Sequence, residues 1–304
     1  MSSLREVKDR IASVRSTLKI TSAMKLVASS KLRRAQKAIE TLRPYEETLS
    51  SILASLTASD RASQELGVWV QGSFVLSLWT PEPTPHSPEE SDAQGRTVVV
   101  AFSSNSSMCG AFNNNVSKKA LEVLSGVKGP VEVWTFGKKA AEAVRKAGFP
   151  PAKDFMDVVA HPGFEAVAAA SSELRKLYSE GEVSSVVLVY NHFVSTGRQQ
   201  VVVEPFLPFE APQTEVKEDP EEHFILEPSR EELLRSLIPQ VLDLKLYAAL
   251  LDSSAAEHAA RMIAMQAATD NGEGLLSELT LEYNKGRQQK ITSEILDLAG
   301  GAAH

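Results

Sequence analysis

The chain has 304 residues, 43% of them hydrophobic, with 32 Lys and Arg against 39 Asp and Glu and a net charge of −7. No run approaches ~18 consecutive apolar residues, so a membrane-crossing helix is excluded. A single cysteine, Cys109, excludes an intramolecular disulfide and any cysteine-built metal site, and the six scattered histidines show no ligand spacing.

Charge is unevenly placed. Residues 1–43 carry eleven Lys or Arg against Glu6, Asp9 and Glu40, a net of +8, which leaves −15 on the remainder. Through the same stretch run two seven-residue series of apolar or small residues. One is Leu4, Ile11, Leu18, Lys25, Leu32 and Ile39; the other is Val7, Val14, Thr21, Ala28, Ala35 and Leu42. Spacing of 3-4-3-4 keeps one seam on one side of a helix and wraps it around a partner helix. Only Thr21 and Lys25 interrupt the seam, on consecutive turns. The helix is expected to start at Ser2 or Ser3, with Glu6 as capping-box partner, and to run to about Ala58 through Pro44, its seam resuming at Leu49, Leu53 and Leu56.

Residues 66–80 then read as a hairpin or edge strand, and PEPTPHSPEESDAQG as an exposed loop. Strand-like runs follow at 97–103, 131–136, 183–193 and 199–206, alternating with helical segments at 113–125, from Lys138 to about Lys146, and at 164–180. Strands separated by helices predict a largely parallel sheet covered by helices. Residues 207–228 are Pro- and Glu-rich and read as a linker. From Ser229 a second long helix extends to about Leu298. It has a kink expected at Pro239 and an apolar stripe of Leu276, Leu279, Tyr283, Ile291, Ile295 and Leu298. Gly272, Gly274 and Gly286 weaken it by about 1 kcal/mol each, so partner packing must compensate.

The fold class is therefore α/β plus a long antiparallel coiled coil: N- and C-terminal helices paired, with the sheet domain inserted between them and both termini near one tip. The expected divisions are 1–60 for the N-terminal helix, 61–96 for the hairpin and Pro-rich insertion, 97–208 for the α/β domain, 209–228 for the linker, and 229–304 for the C-terminal helix.

Enzyme chemistry finds little support. The loop SSNSSMCGAFNNN after the first buried strand precedes a helix, which can hold phosphate. It carries neither of the Gly-rich nucleotide fingerprints. Asn113 to Asn115 read as helix-capping residues. Cys109 as a nucleophile with His192 or His161 has no supporting spacing, and a buried thiol is the simpler reading. Two competing classes stay open on these residues: a nucleotide-binding α/β enzyme with helical arms, and a basic coiled-coil module for nucleic acid.

Four strings point to a third reading. RIASVRSTLKITSAMKLVASSKLRRAQ resembles the opening of the gamma subunit of F-type ATP synthases. RMIAMQAATDNGEGLLSELTLEYNKGRQQKITSEILDLAGGAA resembles the same family's closing signature. SSMCGAFNNN and YNHFVSTGRQQVVVEPFLP resemble its central domain, so the likeness spans nearly the whole chain in order.

The resemblance implies the central rotor stalk of the F1 sector of a proton-driven ATP synthase, coupling ring rotation to conformational cycling of the catalytic beta subunits. It implies as partners a 3:3 ring of alpha and beta subunits, the epsilon subunit and the membrane c-ring. It implies no catalytic residue, cofactor or metal of the chain's own, no nucleic acid, and a peripheral location at the cytoplasmic face of the bacterial inner membrane without insertion.

Residue by residue, it implies that Met24 and Lys25 face a beta-subunit lever loop and that Arg287 and Gln288 hydrogen-bond a beta-subunit loop. The seam reading of Lys25, a register-fixing polar residue, is compatible with this. The resemblance implies helix-pair support for Thr292 and Glu294, joined by the seam residue Thr21, and contact with acidic partner surfaces for the basic run Lys31, Arg33, Arg34. Two departures from the family stand out. Ser103 to Gly110 lacks an Asp and an Arg that the family often carries, and the stretch near 64–95 is longer than the family's minimum.

Overall fold

The computed structural model describes residues 3–57, 67–70, 73–76, 95–209, 227 and 229–301. Two long helices frame it: α1, Leu4–Thr57, and α6, Arg230–Gly301, of 54 and 72 residues. At ~1.5 Å per residue they measure roughly 80 and 110 Å. Ser3 Oγ accepts from the Glu6 backbone N–H at 3.2 Å, and Ser229 Oγ from the Glu232 N–H at 3.3 Å, so each helix starts on a serine cap. Both run on through their prolines, Pro44 and Pro239.

Between them lie β1, Gly67–Val70, and β2, Ser73–Leu76, an antiparallel hairpin. Then come β3, Arg96–Phe102; α2, Phe112–Gly126; β4, Val131–Phe136; α3, Lys138–Lys146; β5, Lys153–Asp154; α4, Met156–Ala160; α5, Phe164–Ser179; β6, Val183–Ser195; and β7, Arg198–Leu207. The expected loop at PEPTPHSPEESDAQ and most of the expected linker lie outside the described residues.

The five-stranded sheet has the order β5-β4-β3-β6-β7. All neighbours are parallel except β6 and β7, which pair antiparallel. Alternation along β3 sorts its side chains into two cores. Val98, Val100 and Phe102 face one way, onto Val167 and Leu174 of α5, Leu234 to Leu250 of α6, and Leu53 and Leu56 of α1. Val99 and Ala101 face the other, onto Val116, Ala120 and Leu124 of α2 and Ala140 and Val144 of α3. The roots of both long helices are thus a layer of the sheet domain. Arg175 of α5 reinforces that layer through Asp243 and the Pro239 carbonyl, both on α6.

From the sheet edge, where Phe193 of β6 still packs against them, α1 and α6 continue as a pair. Leu32 and Ala35 meet Ala255 and Ala259, small side chains that let the axes approach. All twelve seam positions of α1 are buried or half-buried, as the seven-residue pattern requires. Lys25 meets Gln266, Thr21 meets Thr269, Leu18 lies against Gly272 and Leu4 against Gly286. Numbers rise along one helix as they fall along the other, so the pair is antiparallel. A Cβ at Gly272 would come within 2.7 Å of Leu18 Cδ2, whereas one at Gly274 would meet nothing within 4 Å. Among the described residues, no helix is long and apolar enough to cross a membrane.

The stripe predicted on the C-terminal helix divides at Gly286. Leu279 is buried and Leu276 and Tyr283 half-buried, but Ile291 and Ile295 are exposed. The reason is the length of the partner: α1 begins at Leu4, opposite Gly286, while α6 continues to Gly301. The described ends of the two helices are therefore not level.

Candidate functional site

The candidate residues fall on the helix pair and its projecting end. Thr21 is buried in the seam, where Thr269 Oγ1 donates to its hydroxyl at 3.0 Å. One turn on, Lys25 Nζ donates to Gln266 Oε1 at 2.7 Å, and Gln266 Nε2 donates in turn to Asp270 Oδ1 at 2.6 Å. Lys25 is thus a cross-helix link, half-buried, beside the half-buried Met24. Next to them Leu26 and Val27 are 69% and 57% exposed, and Ile20 60%, an apolar face off the seam.

Arg287 and Gln288 lie just past the level where α1 begins, and every side chain from 287 to 296 is exposed. Thr292 Oγ1 donates to the Gln288 carbonyl at 2.9 Å, and Glu294 is 3.7 Å from Lys290 Nζ. Both interactions stay within α6. Of the three residues assigned to helix-pair support, Thr21 alone bonds across the pair here.

Lys31, Arg33 and Arg34 are all exposed. Lys31 and Arg34 border a cavity of about 850 Å³ whose other walls include His161, Tyr247, Glu257 and His258. Burial pushes the Glu257 carboxyl up from its ordinary value, against the pull of Arg261, which bonds it at 2.7 Å, and of Lys31. Burial lowers His258 to about 4, helped by the Lys31 and Arg261 charges, so its ring is neutral near neutrality.

The loop after β3 departs from its sequence reading. Asn113 does not cap α2: its Oδ1 accepts from the Ser104 N–H and its Nδ2 donates to Cys109 Sγ at 3.0 Å, tying the loop to itself. Positive φ at Met108 (65°) and Gly110 (57°) turns Cys109 inward, where it is buried and free. The capping falls to other residues and another helix. Lys138 N–H donates to Asn105 Oδ1, Lys139 N–H to the Ser104 carbonyl and Ala140 N–H to Ser103 Oγ. These first-turn donors of α3, which would otherwise face an anion, are taken by the protein. A Cβ at Gly137, where φ is +112°, would lie 2.2 Å from the Ser103 carbonyl oxygen, so this turn accepts only glycine. Arg261 of α6 donates to the Ser107 carbonyl at 2.5 Å and fastens the loop to the long helix.

Sequence reasoning named neither the Glu257–Arg261 pair nor the side chains at the junction of sheet and shaft. A carboxylate four residues before an arginine on one helix was the available signal for the first.

With this geometry in view, comparison with known proteins is direct. A family model described as ATP synthase matches residues 3–304. The ATP synthase gamma chain of Bacteroides fragilis (strain ATCC 25285) is 42% identical over 311 residues, covering 99% of both chains. That of Bacteroides thetaiotaomicron is 41% identical over 317 residues, again covering 99% of each. Among solved structures, a chain of the Euglena gracilis mitochondrial ATP synthase rotor in rotational state 1 superposes with a TM-score of 0.60 at 16% identity. The match covers 95% of this chain and 98% of that one, and at that identity it shows the shared fold.

Proposed function

The chain belongs to the ATP synthase gamma-chain family, and on that premise we propose that it is the central rotor stalk of an F1 sector, coupling rotation of a membrane c-ring to the nucleotide cycle of surrounding subunits. Residues 1–60 and 229–304 form the shaft and 97–208 the foot; 61–96 is an insertion and 209–228 a linker. The shaft stands within a 3:3 ring of alpha and beta subunits. The foot meets epsilon and the c-ring at the cytoplasmic face of the bacterial inner membrane. The chain makes and breaks no bond of ATP itself.

One observation carries this reading: a two-helix shaft, rooted in a sheet domain, from which α6 projects beyond its partner by residues 287–301. At ~1.5 Å per residue that projection is roughly 20 Å. A single asymmetric rod inside a threefold ring contacts the three copies unequally, and unequal contact is what shifts a conformational equilibrium. Met24, Lys25, Arg287 and Gln288 are the coupling contacts. Lys25 serves twice, because its ammonium has two further protons beyond the one given to Gln266. Arg287 presents a planar fork suited to a carboxylate. Lys31, Arg33 and Arg34 face acidic partner surface.

Reconstitution tests it. Alpha and beta subunits with this chain should hydrolyse ATP, and a bead fixed to the α/β domain should turn; the chain alone should show no turnover. Hydrolysis without bead rotation would overturn the reading.

A further inference from the structure

Where the edge of the sheet meets the shaft, a cavity of about 220 Å³ is lined by an unusual density of ionisable groups. Arg43 and Glu46 enter it from α1, Tyr190 and His192 from β6, Glu204 from β7, and Lys245 and Asp252 from α6. Lys245 is committed: its Nζ lies 3.1 Å from Glu204 Oε1 and donates to the Pro205 carbonyl at 2.8 Å. Tyr190 Oη donates to the other Glu204 oxygen at 2.9 Å. His192 Nδ1 pairs with Asp252 Oδ2, and the adjacent Phe193 backbone also favours the charged Asp252 carboxylate. Three carboxylates thus share the cavity with two permanent cations, Arg43 and Lys245. One proton is required to make the set neutral.

We propose that this cluster is a proton-binding joint, in which a single proton held by the carboxyls of Glu46 and Asp252 neutralises the cavity and keeps the sheet edge seated against both long helices. Without it, Glu46, Glu204 and Asp252 are left one positive charge short in a half-buried contact, and the joint loosens. The direction of titration agrees. Glu46 is raised above the ordinary carboxylate range, first by burial and then by Glu204 and Asp252; Asp252 is raised by burial against the pull of His192. A carboxyl raised in the fold contributes stability that is full at acid pH and is lost as pH rises through its folded value. The joint therefore tightens on acidification and slackens on alkalinisation, and this holds whether or not the chain turns as a rotor.

The Phe193 amide is the reporter. Hydrogen exchange of the full-length chain is followed from about pH 5 to about pH 9 and corrected for intrinsic exchange. Protection at Phe193 should fall with rising pH, by up to about tenfold per unit for one linked proton. An amide in α2, such as Ala120, should show no such slope. Asp252→Asn and Glu46→Gln each remove one negative charge and should flatten the Phe193 profile. Should Asp252→Asn fail to fold, Glu46→Gln decides alone. Equal slopes in the wild-type chain and the folded variants would overturn the proposal.

Discussion

Thr269 donates a hydrogen bond to Thr21 across the buried seam, 3.0 Å from oxygen to oxygen, and with Lys25–Gln266 one turn on the pair forms a polar step in a largely apolar contact. Each hydroxyl also lies within reach of its own helix: Thr21 Oγ1 of the Leu18 carbonyl, Thr269 Oγ1 of the Met265 carbonyl. Removing one partner alone leaves a buried hydroxyl short of its cross-helix bond. Thr21→Val should cost about 1 kcal/mol, while the double change with Thr269→Val should return close to the wild-type value. Denaturant unfolding of the four chains of the cycle measures this, and a double variant as unstable as the sum of the singles would contradict it.

Gly272 and Gly274 lie two residues apart on α6 yet predict opposite outcomes. Gly274→Ala adds a methyl in open space and gains helix propensity, so stability should rise by up to about 1 kcal/mol. At Gly272 the same methyl meets Leu18 Cδ2 at 2.7 Å, and the gain is offset as the leucine shifts. Thermal midpoints of the two variants should rank Gly274→Ala above wild type and Gly272→Ala below Gly274→Ala.

Arg287 is exposed and lies beyond the paired region. Arg287→Ala should therefore leave the unfolding free energy of the isolated chain within about 0.5 kcal/mol of wild type. In a reconstituted complex it should slow ATP-driven rotation while assembly proceeds. Unchanged rotation would remove Arg287 from the set of coupling contacts.

His258, lowered to about 4 first by burial and then by Lys31 and Arg261, gives a pH dependence opposite in sign to the proton-binding joint. The unfolded chain takes up a proton at this imidazole near its ordinary value of about 6.5, whereas the folded chain resists until near the lowered one. Its stabilisation is full above the ordinary value and is lost as pH falls towards about 4. Subtracting the stability profile of His258→Gln from that of wild type should expose a decline across this window, amounting to a few kcal/mol at most. A flat difference would show the ring to be free to ionise.

Much of this architecture was legible because it repeats. The two series ending at Ile39 and Leu42 require a long helix with a partner, and the alternation of strand and helix from 97 to 206 requires a covered, mostly parallel sheet. Short elements escaped for the same reason: β5 has two residues and α4 five, too few for any period to register. Asn113 carried a capping residue's chemistry but turns it on Ser104, because it lies inside the first turn of α2, past the N-cap position held by Ala111, and the loop folds back over it.

The candidate surface was legible only in part. Lys25 stood out as a break in the seam, but Gln266, its partner, lies 241 residues away. The exposure of Ile291 and Ile295 depends on where the other helix begins, and no stripe on one helix carries that information. The junction around Asp252 draws on α1, β6, β7 and α6, and no local pattern connects them.

The layer formed by Leu234, Ile238, Leu242, Leu246 and Leu250 covers Val98, Phe102, Trp134 and Phe136. During synthesis those sheet residues leave the ribosome well before their cover has been translated. Until then much of that greasy surface lacks its cover, and nascent chains released early would clump. Biogenesis of this protein thus hinges on its final quarter, and a stop codon ahead of Leu234 should yield insoluble material rather than a shorter working domain.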